Sequence, residues 1–248
     1  VLIRENDKSF SFFTNFCGEI TKFLQEDLFF EFNSHVLLAV SGGVDSITLL
    51  DMFANFTQQY PDLKLTVAHF NHNLRGEASD EDEKFVKRIA KRYNIKFVSS
   101  SGDVNAYAEL KGVSIEQAAR TLRYKFFEKI SKKIDADYLA TAHTLDDSIE
   151  TFFINLFRGT GLTGLKGIPE RRLLVKRIMI IRPLLNIRKT ELINYAKKRN
   201  LKWREDYSNK LLNYTRNKVR LNLLPEIEEQ FNPQIFETIQ RTQRLLTG

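Results

Sequence analysis

A six-residue loop in the first fifth of the chain combines the groups that a bound polyphosphate requires. It consists of Ser41, Gly42, Gly43, Val44, Asp45 and Ser46. The serines carry hydroxyl donors, the glycines let backbone N–H groups approach an anion, and Asp45 offers a carboxylate for an accompanying Mg²⁺ ion. No Lys-Ser/Thr pair follows the glycines, as in a Walker A loop, and the third glycine of a dinucleotide fingerprint is missing. A Gly-Gly turn could simply join two elements, but the serines and the aspartate favour phosphate binding.

A second group of polar residues follows the apolar run 137–142. Thr144 is placed as a helix cap, with Asp147 at the capping-box position. On the predicted helix, intervals of three and four residues bring one imidazole and three carboxylates onto the same face, from His143, Asp146, Asp147 and Glu150. The helix dipole stabilises one or two of these acids, but three on one face repel one another. They predict a site for a cation, either Mg²⁺ or the ammonium group of a substrate.

Two arginines one helical turn apart form a third candidate. Ser114 and Gln117 predict the start of a helix that runs to residue 134. Arg120 and Arg123 lie in the first half of this helix. They could clamp phosphate groups, or they could belong to a solvated, salt-bridged face. Their spacing alone does not separate these two interpretations.

Short apolar runs alternate with helical patterns in the first three quarters of the chain. Strands are predicted at 36–40, 63–69, 95–99 and 137–142. The alternation is typical of an α/β fold, and we expect a doubly wound, mostly parallel sheet of about five strands. In such a sheet the carboxyl ends of the strands form the binding site, so the phosphate loop and the acidic helix should lie at that edge.

Positive charge is concentrated in the last third of the chain. The net charge is +7 overall, but residues 166–220 carry 17 Lys and Arg against 4 Asp and Glu, which leaves the remainder negative. Such asymmetry indicates a surface for a polyanion, and a nucleic acid is the polyanion that we expect. Aromatic side chains between the charges could stack on unpaired bases, namely Tyr195, Trp203, Tyr207 and Tyr214. The alternative is a solvated lysine-rich face without a partner.

The sequence contains no candidate for a membrane span or a disulfide. No run of about 18 apolar residues is present, and no signal-peptide pattern opens the chain. Cys17 is the single cysteine, which excludes an internal disulfide and any Cys-x-x-Cys metal site. We expect a cytoplasmic protein that has no contact with a membrane. The sequence leaves the oligomeric state open, with a homodimer among the candidates.

Eight ordered motifs resemble those of the tRNA(Ile)-lysidine synthetase family, within the PP-loop superfamily of N-type ATP pyrophosphatases. The loop 41–46, of the form S-G-G-x-D-S, is typical of the whole superfamily. The later motifs are specific to the family: His69-x-Asn71-His72-x-Leu74-Arg75, Glu116-x-x-Ala119-Arg120-x-x-Arg123-Tyr124, Ala140-Thr141-Ala142-His143-x-x-Asp146-Asp147-x-x-Glu150-Thr151, Arg158-Gly159-x-Gly161, Arg182-Pro183-Leu184-Leu185, Asp206-x-Ser208-Asn209 and Tyr214-x-Arg216-Asn217-x-x-Arg220.

The resemblance implies an ATP-dependent ligation of lysine to RNA. ATP adenylates O2 of the wobble cytidine in the CAU anticodon of an isoleucine tRNA, and free lysine then attacks C2 and releases AMP. The cofactors would be ATP and Mg²⁺, with Ser41 to Ser46 holding the pyrophosphate group and Asp45 serving the metal. Asp147 and Glu150 would bind the lysine ammonium and help to remove its proton, which an amine nucleophile must lose before it attacks.

Further roles are carried over by matched position. His143 and Arg123 would line the same pocket, and the tRNA would be bound by Arg216, Asn217 and Arg220. The resemblance also implies an adenine nucleotide alpha hydrolase-like fold. We divide the chain into an N-terminal helical segment (1–33), a PP-loop ATPase core (34–185) and a basic helical tRNA-binding appendage (186–248). Family members commonly continue into small C-terminal domains, so we expect either a minimal form or a chain from which such domains were cut.

Two other functions stay open at this point. Another PP-loop tRNA-modifying enzyme, such as a thiolase of cytidine or uridine, would need catalytic cysteines, and Cys17 lies upstream of the nucleotide loop. A non-catalytic tRNA-binding module could retain a vestigial loop, but the carboxylates of Asp45, Asp147 and Glu150 argue against it. Release of pyrophosphate from ATP would separate such a module from an enzyme.

Overall fold

The computed structural model describes residues 33–205 and 215–247, together with Gly18. The helical segment predicted over 1–33 falls almost entirely outside these ranges. Cys17, Tyr207, Tyr214 and the motif at 206–209 also lie outside the described residues. Within the described part of the chain, no helix has the length and apolar character that crossing a membrane requires.

In the described ranges, six strands form one mixed sheet in the order β3-β2-β1-β4-β6-β5. All neighbouring strands are parallel except β5, which pairs antiparallel with β6 at one edge. The predicted α/β class is confirmed and the four predicted strands are present; the β5–β6 hairpin brings the total to six rather than about five. The strands are β1 (His35–Ala39), β2 (Lys64–Asn71), β3 (Lys96–Ser101), β4 (Tyr138–Ala140), β5 (Arg171–Val175) and β6 (Ile178–Ile181).

Helices connect the strands and cover both faces of the sheet. As far as residue 205 they are α1 (Val44–Gln59), α2 (Glu77–Arg92), α3 (Val104–Lys111), α4 (Ile115–Lys133), α5 (Leu145–Phe157), α6 (Leu162–Leu165) and α7 (Lys189–Lys198). From residue 215 onward, α8 (Thr215–Lys218) continues through a π-helical turn (Val219–Leu223) into α9 (Leu224–Gln230), which α10 (Ile235–Thr247) follows. The hydroxyls of Ser114 and Thr144 cap α4 and α5, so both predicted caps are confirmed.

Strand β1 lies at the centre of the sheet and is fully buried at Val36, Leu37 and Leu38. Neighbouring side chains of a strand point to opposite faces. Val36 and Leu38 therefore pack with apolar residues of α1, α2 and α7, whereas Leu37 packs with α4 on the other face. Burial on both faces is what a parallel sheet between two layers of helices requires, which explains why the first predicted strand is a continuous apolar run.

The strand order reverses between β1 and β4, and this reversal places the candidate site. The two strands are parallel neighbours, so their carboxyl ends lie side by side at one edge of the sheet. The loop 41–46 follows β1, and His143 follows β4. In open α/β sheets, ligands bind in the crevice at such a switch point. Both predicted groups of polar residues therefore lie at the same crevice.

The segment after residue 185 packs in two different environments. Helix α7 belongs to the main core, where Leu192 and Tyr195 contact the apolar residues of α1. The helices after residue 214 pack instead on α5, and Phe236 lies in one apolar cluster with Phe153. The predicted division of the chain stays a prediction, but the packed core extends beyond its expected end at 185.

A buried carboxylate ties α7 to α1. Asp51 is fully buried on α1, and it accepts hydrogen bonds from the hydroxyls of Tyr93 and Tyr195, both at 2.6 Å. The guanidinium of Arg199 donates two more bonds at 3.2 Å. Asn55 Nδ2 is a fourth donor, at 3.1 Å from Oδ2. A buried carboxylate with four such partners is stable, whereas the partners would lose hydrogen bonds without it. Asp51 therefore fixes the position of α7, whose first residue is Lys189.

We expect Asp51→Ala to lower the free energy of unfolding by about 2–4 kcal/mol, because it leaves two tyrosine hydroxyls and a guanidinium without their acceptor. Chemical denaturation measures this change. Asp62→Ala is the matched control, since Asp62 is exposed and its loss should cost within about 0.5 kcal/mol. Equal losses for the two variants would show that Asp51 does not tie the helices together.

Candidate active site

The loop 41–46 is held in shape by the side chain of Ser46. Its Oγ accepts hydrogen bonds from the backbone N–H groups of Ser41 (3.2 Å) and Gly42 (3.1 Å) and donates one to the carbonyl of Gly43 (2.9 Å). Gly42 has a φ of 103°, a conformation that residues with a side chain rarely adopt. Helix α1 begins at Val44, within the loop, so the free N–H groups of its first turn belong to the loop. This strand, turn and helix form the backbone context that phosphate binding requires.

Asp45 lies in the first turn of α1, and its carboxylate is largely buried. Oδ2 accepts a hydrogen bond from Nζ of Lys189 at 3.1 Å, whereas Oδ1 is buried without a partner among the described residues. Burial raises the pKa of Asp45, and the charge of Lys189 opposes this shift. An unpaired carboxylate oxygen fits a hard cation, and Mg²⁺ commonly takes only one or two protein carboxylates when phosphates supply further oxygens. The described residues hold no cluster of three His, Cys, Asp or Glu side chains that could share a metal ion.

Lys189 is a site residue that the sequence analysis missed. It is the first residue of α7, and its backbone N–H donates to Oδ2 of Asp146 at 2.7 Å, which leaves its side chain next to Asp45. A cation in the first turn of a helix opposes the helix dipole. This unfavourable position is the feature by which the sequence could have identified Lys189 as a site residue, because a lysine placed against the dipole needs a compensating acid elsewhere.

Four charged side chains form what we call the acid–arginine cluster: Asp147, Glu150, Arg216 and Arg220. Glu150 is fully buried, and its carboxylate accepts bonds from Nε of Arg216 at 2.7 Å and from Nε of Arg220 at 2.5 Å. Oδ1 of Asp147 lies 3.1 Å from Arg216 Nη2 and 3.5 Å from Arg220 Nη2. The family resemblance assigns the acids to a lysine substrate and the arginines to tRNA. The structure brings the two sets into direct contact, with equal numbers of positive and negative charges.

Charge and burial fix the protonation states around Asp147. Burial would raise the pKa of Asp147, but Arg216, the backbone N–H of Thr144 and other neighbouring groups outweigh it and lower the pKa. His143 behaves in the opposite way, because its burial lowers the pKa of the imidazole to about 3. Its Nδ1 shares a 2.9 Å hydrogen bond with the hydroxyl of Thr141. At neutral pH the site therefore contains an ionised Asp147 beside a neutral His143.

The three acids that were predicted to share one face of α5 have different partners in the structure. Oδ2 of Asp147 completes the capping box by accepting from the N–H of Thr144 at 2.9 Å. Asp146 turns towards α7, where it accepts from the backbone of Lys189 and lies 3.8 Å from Arg188. The third acid, Glu150, lies beneath the arginines. Asp146 is therefore paired away from the other two acids, and the repulsion expected among three carboxylates does not arise.

One cleft with a volume of about 790 Å³ joins these parts. Most of the predicted site residues line it: Ser41, Gly43, Val44, Asp45, Ser46, Arg123, His143, Asp147, Arg216 and Arg220. Gly42, Glu150 and Asn217 do not line it, and Glu150 and Asn217 are buried behind its wall. Trp203 also lines the cleft, and the next residue, Arg204, donates its backbone N–H to the carbonyl of Gly42 at 2.9 Å. A part of the basic segment thus contacts the phosphate loop.

Comparison with known proteins identifies the loop and its fold. A family model described as a PP-loop domain matches residues 13–227. The chain is 36% identical over 230 residues to a tRNA(Ile)-lysidine synthase of Clostridium acetobutylicum, covering 93% of this chain and 49% of that protein. It is 40% identical over 223 residues to the enzyme of that name from Bacteroides thetaiotaomicron, covering 90% and 50%. The chain therefore spans about half the length of these curated relatives.

Solved structures support the same fold. The U34-tRNA thiolase NcsA from Methanococcus maripaludis, solved with its [4Fe-4S] cluster, superposes with a TM-score of 0.78 at 22% identity, covering 95% of this chain and 79% of that one. An NH3-dependent NAD synthetase from Campylobacter jejuni superposes with a TM-score of 0.53 at 15% identity, covering 95% and 96%. At these identities the likeness concerns the fold alone.

The low pKa of His143 predicts how stability depends on pH. An unfolded histidine binds a proton below about pH 6.5, whereas the folded protein resists protonation of His143 down to about pH 3. Stability should therefore fall as the pH drops through this window, by up to about 1.4 kcal/mol per pH unit for this group. His143→Gln should make the decline shallower, as measured by denaturant unfolding from pH 7 to pH 4. Parallel curves for the parent and the variant would contradict a neutral, buried imidazole.

Proposed function

Since the chain belongs to the PP-loop domain family, we propose that it uses ATP to activate a cytidine of tRNA(Ile) and then joins lysine to it. The observation that carries this proposal is the shared cleft, in which the phosphate loop and Asp147 of the acid–arginine cluster face the same space. The similarity to tRNA(Ile)-lysidine synthases over about nine tenths of the chain supports the choice of substrate. We place the reaction in the cytoplasm, and a homodimer stays a prediction.

In the first step, O2 of the wobble cytidine attacks the α-phosphorus of ATP, the bond to the β-phosphate breaks, and pyrophosphate leaves. The backbone N–H groups of the loop 41–46 and of the first turn of α1 would hold the departing pyrophosphate. A bound Mg²⁺ ion, held by Asp45, would neutralise phosphate charge. Mg²⁺ can bind Oδ1 of Asp45, which has no partner among the described residues, while Lys189 stays bonded to Oδ2 and adds positive charge beside the phosphates.

In the second step, the neutral amine of lysine attacks C2 of the cytidine, the bond between C2 and O2 breaks, AMP leaves with O2, and the proton lost by the amine passes to solvent water. Asp147 suits the binding of the ammonium group, because its lowered pKa keeps it ionised at neutral pH. The same low pKa makes it a weak proton acceptor. We therefore assign orientation of the lysine to Asp147, rather than the removal of its proton. The guanidinium groups of Arg216 and Arg220 lie beside Asp147, where the ammonium would bind. Lysine must therefore displace at least one of them from Asp147.

Binding of tRNA by Arg216, Asn217 and Arg220 stays a prediction. Arg216 and Arg220 line the cleft, but several of their donors serve the two buried carboxylates. A guanidinium has five N–H donors, so those directed into the cleft can still contact a phosphate while the others hold Glu150. Both arginines would then link the lysine site to the RNA.

The two rival functions are less well supported. A thiolase needs catalytic cysteines or a cluster held by them, and the sequence contains Cys17 alone. A binding module without catalysis would have no need for a buried carboxylate oxygen without a partner next to a phosphate loop, which is what Asp45 provides. Neither alternative explains why the loop and the acid–arginine cluster share a cleft.

Incubation of the protein with a tRNA(Ile) transcript carrying CAU, ATP, Mg²⁺ and lysine should produce lysidine, detected by nucleoside analysis. Asp45→Asn should abolish both lysidine and pyrophosphate release, because Mg²⁺ loses its protein ligand, while the circular dichroism spectrum stays unchanged. Asp62→Asn removes an exposed acid and should behave as the parent. Pyrophosphate release by Asp45→Asn at the parent rate would show that the loop has another role.

Asp147→Asn should separate the two steps. Loss of a charge-assisted contact worth roughly 1.5–3 kcal/mol should raise the KM for lysine about ten- to a hundred-fold, while tRNA-dependent pyrophosphate release persists. Asp146→Asn is the matched control, because it removes the neighbouring acid that bonds α7 instead of the cluster. If Asp147→Asn stops pyrophosphate release in a folded protein, this carboxylate serves ATP and the lysine site lies elsewhere.

A further inference from the structure

Four arginines surround the side chain of Tyr124 on α4. The guanidinium carbons of Arg120, Arg172 and Arg123 lie over its ring, at 5.0, 5.5 and 5.9 Å from the centroid. Arg182, which follows β6, lies within hydrogen-bonding reach of the phenol oxygen. We call these five residues the Tyr124 cluster. It brings together α4, the edge strand β5 and the end of β6, and it lies outside the acid–arginine cluster.

The Tyr124 cluster carries positive charge that nearby acids do not neutralise. In the described part of the chain, none of its four arginines forms an ion pair with a carboxylate, although every arginine of the acid–arginine cluster does. Glu116 on α4 attracts Arg123 electrostatically but forms no ion pair with it. Arg182 is almost completely buried, and its Nε has no hydrogen-bond partner in the described residues. Such an excess of cations is costly unless an anion joins it.

The chemistry of Tyr124 supports an anion at this place. Burial would raise the pKa of its hydroxyl, but the charges of Arg120, Arg182 and Arg123 outweigh burial and lower the pKa. The arginines thus already favour negative charge on an oxygen atom in their midst. The ring itself is covered by guanidinium groups at cation–π distance, which leaves little of it for stacking on a nucleic-acid base. The ligand that fits is a phosphate rather than a base.

The position of the Tyr124 cluster indicates what kind of phosphate group fits there. Arg123 and Tyr124 line the cleft, whereas Arg120 and Arg172 are exposed at its margin. In the sheet, β5 is three strands away from β1, so Arg172 lies about 14 Å from the strand that ends in the phosphate loop. The polyphosphate of a bound nucleotide would already be held by the loop 41–46. A second phosphate at the margin must belong to a longer ligand that also enters the cleft.

We propose that the Tyr124 cluster binds a backbone phosphate of the RNA whose nucleotide enters the cleft, with Arg120 and Arg172 as the contacting residues. This inference rests on the proposed function, because RNA is the substrate proposed there. Arg123 and Arg182 also contact Tyr124, which positions Arg172 through its hydroxyl. The contact would fix the register of the RNA strand without reading its sequence.

The test measures binding of a CAU anticodon stem-loop RNA directly, by fluorescence anisotropy at several salt concentrations and without ATP or lysine. The double variant Arg120→Gln/Arg172→Gln should bind about tenfold more weakly at low salt and lower the slope of log K against log salt by about one to two. Arg172→Lys keeps the charge and should retain most of the slope. Arg92→Gln, an exposed arginine at the last residue of α2, is the matched control and should bind as the parent.

Two outcomes would overturn the inference. If the double variant loses affinity for Mg²⁺–ATP in equilibrium binding but keeps its affinity for RNA, the cluster holds a nucleotide phosphate. If neither affinity changes while thermal unfolding does, the arginines only pack around Tyr124. Failure of the proposed function is a separate result, because a parent protein that makes no lysidine can still bind the stem-loop through these arginines.

Discussion

The pairing of Glu150 with Arg216 and Arg220 is the interaction on which the cleft depends. Glu150 is fully buried on α5, and an uncompensated carboxylate in that position would be very unfavourable. Its two partners come from α8 and the π-helical turn, so compensation of the charge requires these helices to dock on α5. Once docked, they form one wall of the cleft and bring Arg216 against Asp147. A single buried acid thus couples the folding of the C-terminal helices to the assembly of the site.

Pairing with an opposite charge is also found at the two acids that the proposed reaction assigns to substrate cations. Asp45 is paired with Lys189, and Asp147 with Arg216, so each acid assigned to a substrate cation has a cation of the protein beside it. In the proposed reaction the lysine ammonium would have to compete with Arg216 for Asp147, whereas Mg²⁺ could use the unpaired Oδ1 of Asp45. The binding of lysine would then depend on whether the RNA offers the displaced guanidinium a new anion.

Local features of the site could be predicted from the sequence, whereas its long-range pairs could not. The loop 41–46 and the Thr144–Asp147 capping box involve residues within six positions of one another, where backbone geometry alone fixes the contacts. The contact of Lys189 with Asp45 joins residues 144 positions apart, and that of Arg216 with Glu150 joins residues 66 positions apart. Such contacts depend on the docking of whole elements. The β5–β6 hairpin was missed because its first strand is mostly exposed and its two arginines precede three apolar residues, so polar and apolar side chains do not alternate along it.

The charge asymmetry of the sequence has an intramolecular role as well as an intermolecular one. Among the described residues, six cations of the basic segment 166–220 pair with acids that lie before it in the chain: Lys189 with Asp45, Arg188 with Asp146, Arg199 with Asp51, Arg204 with Asp82, and Arg216 and Arg220 with Glu150. These pairs attach the last third of the chain to the negative remainder. Cations without such partners attract a polyanion most strongly, so a surface for RNA has to be sought first where arginines gather without acids. In the described residues, Arg172 and Arg182 beside Tyr124 meet that condition.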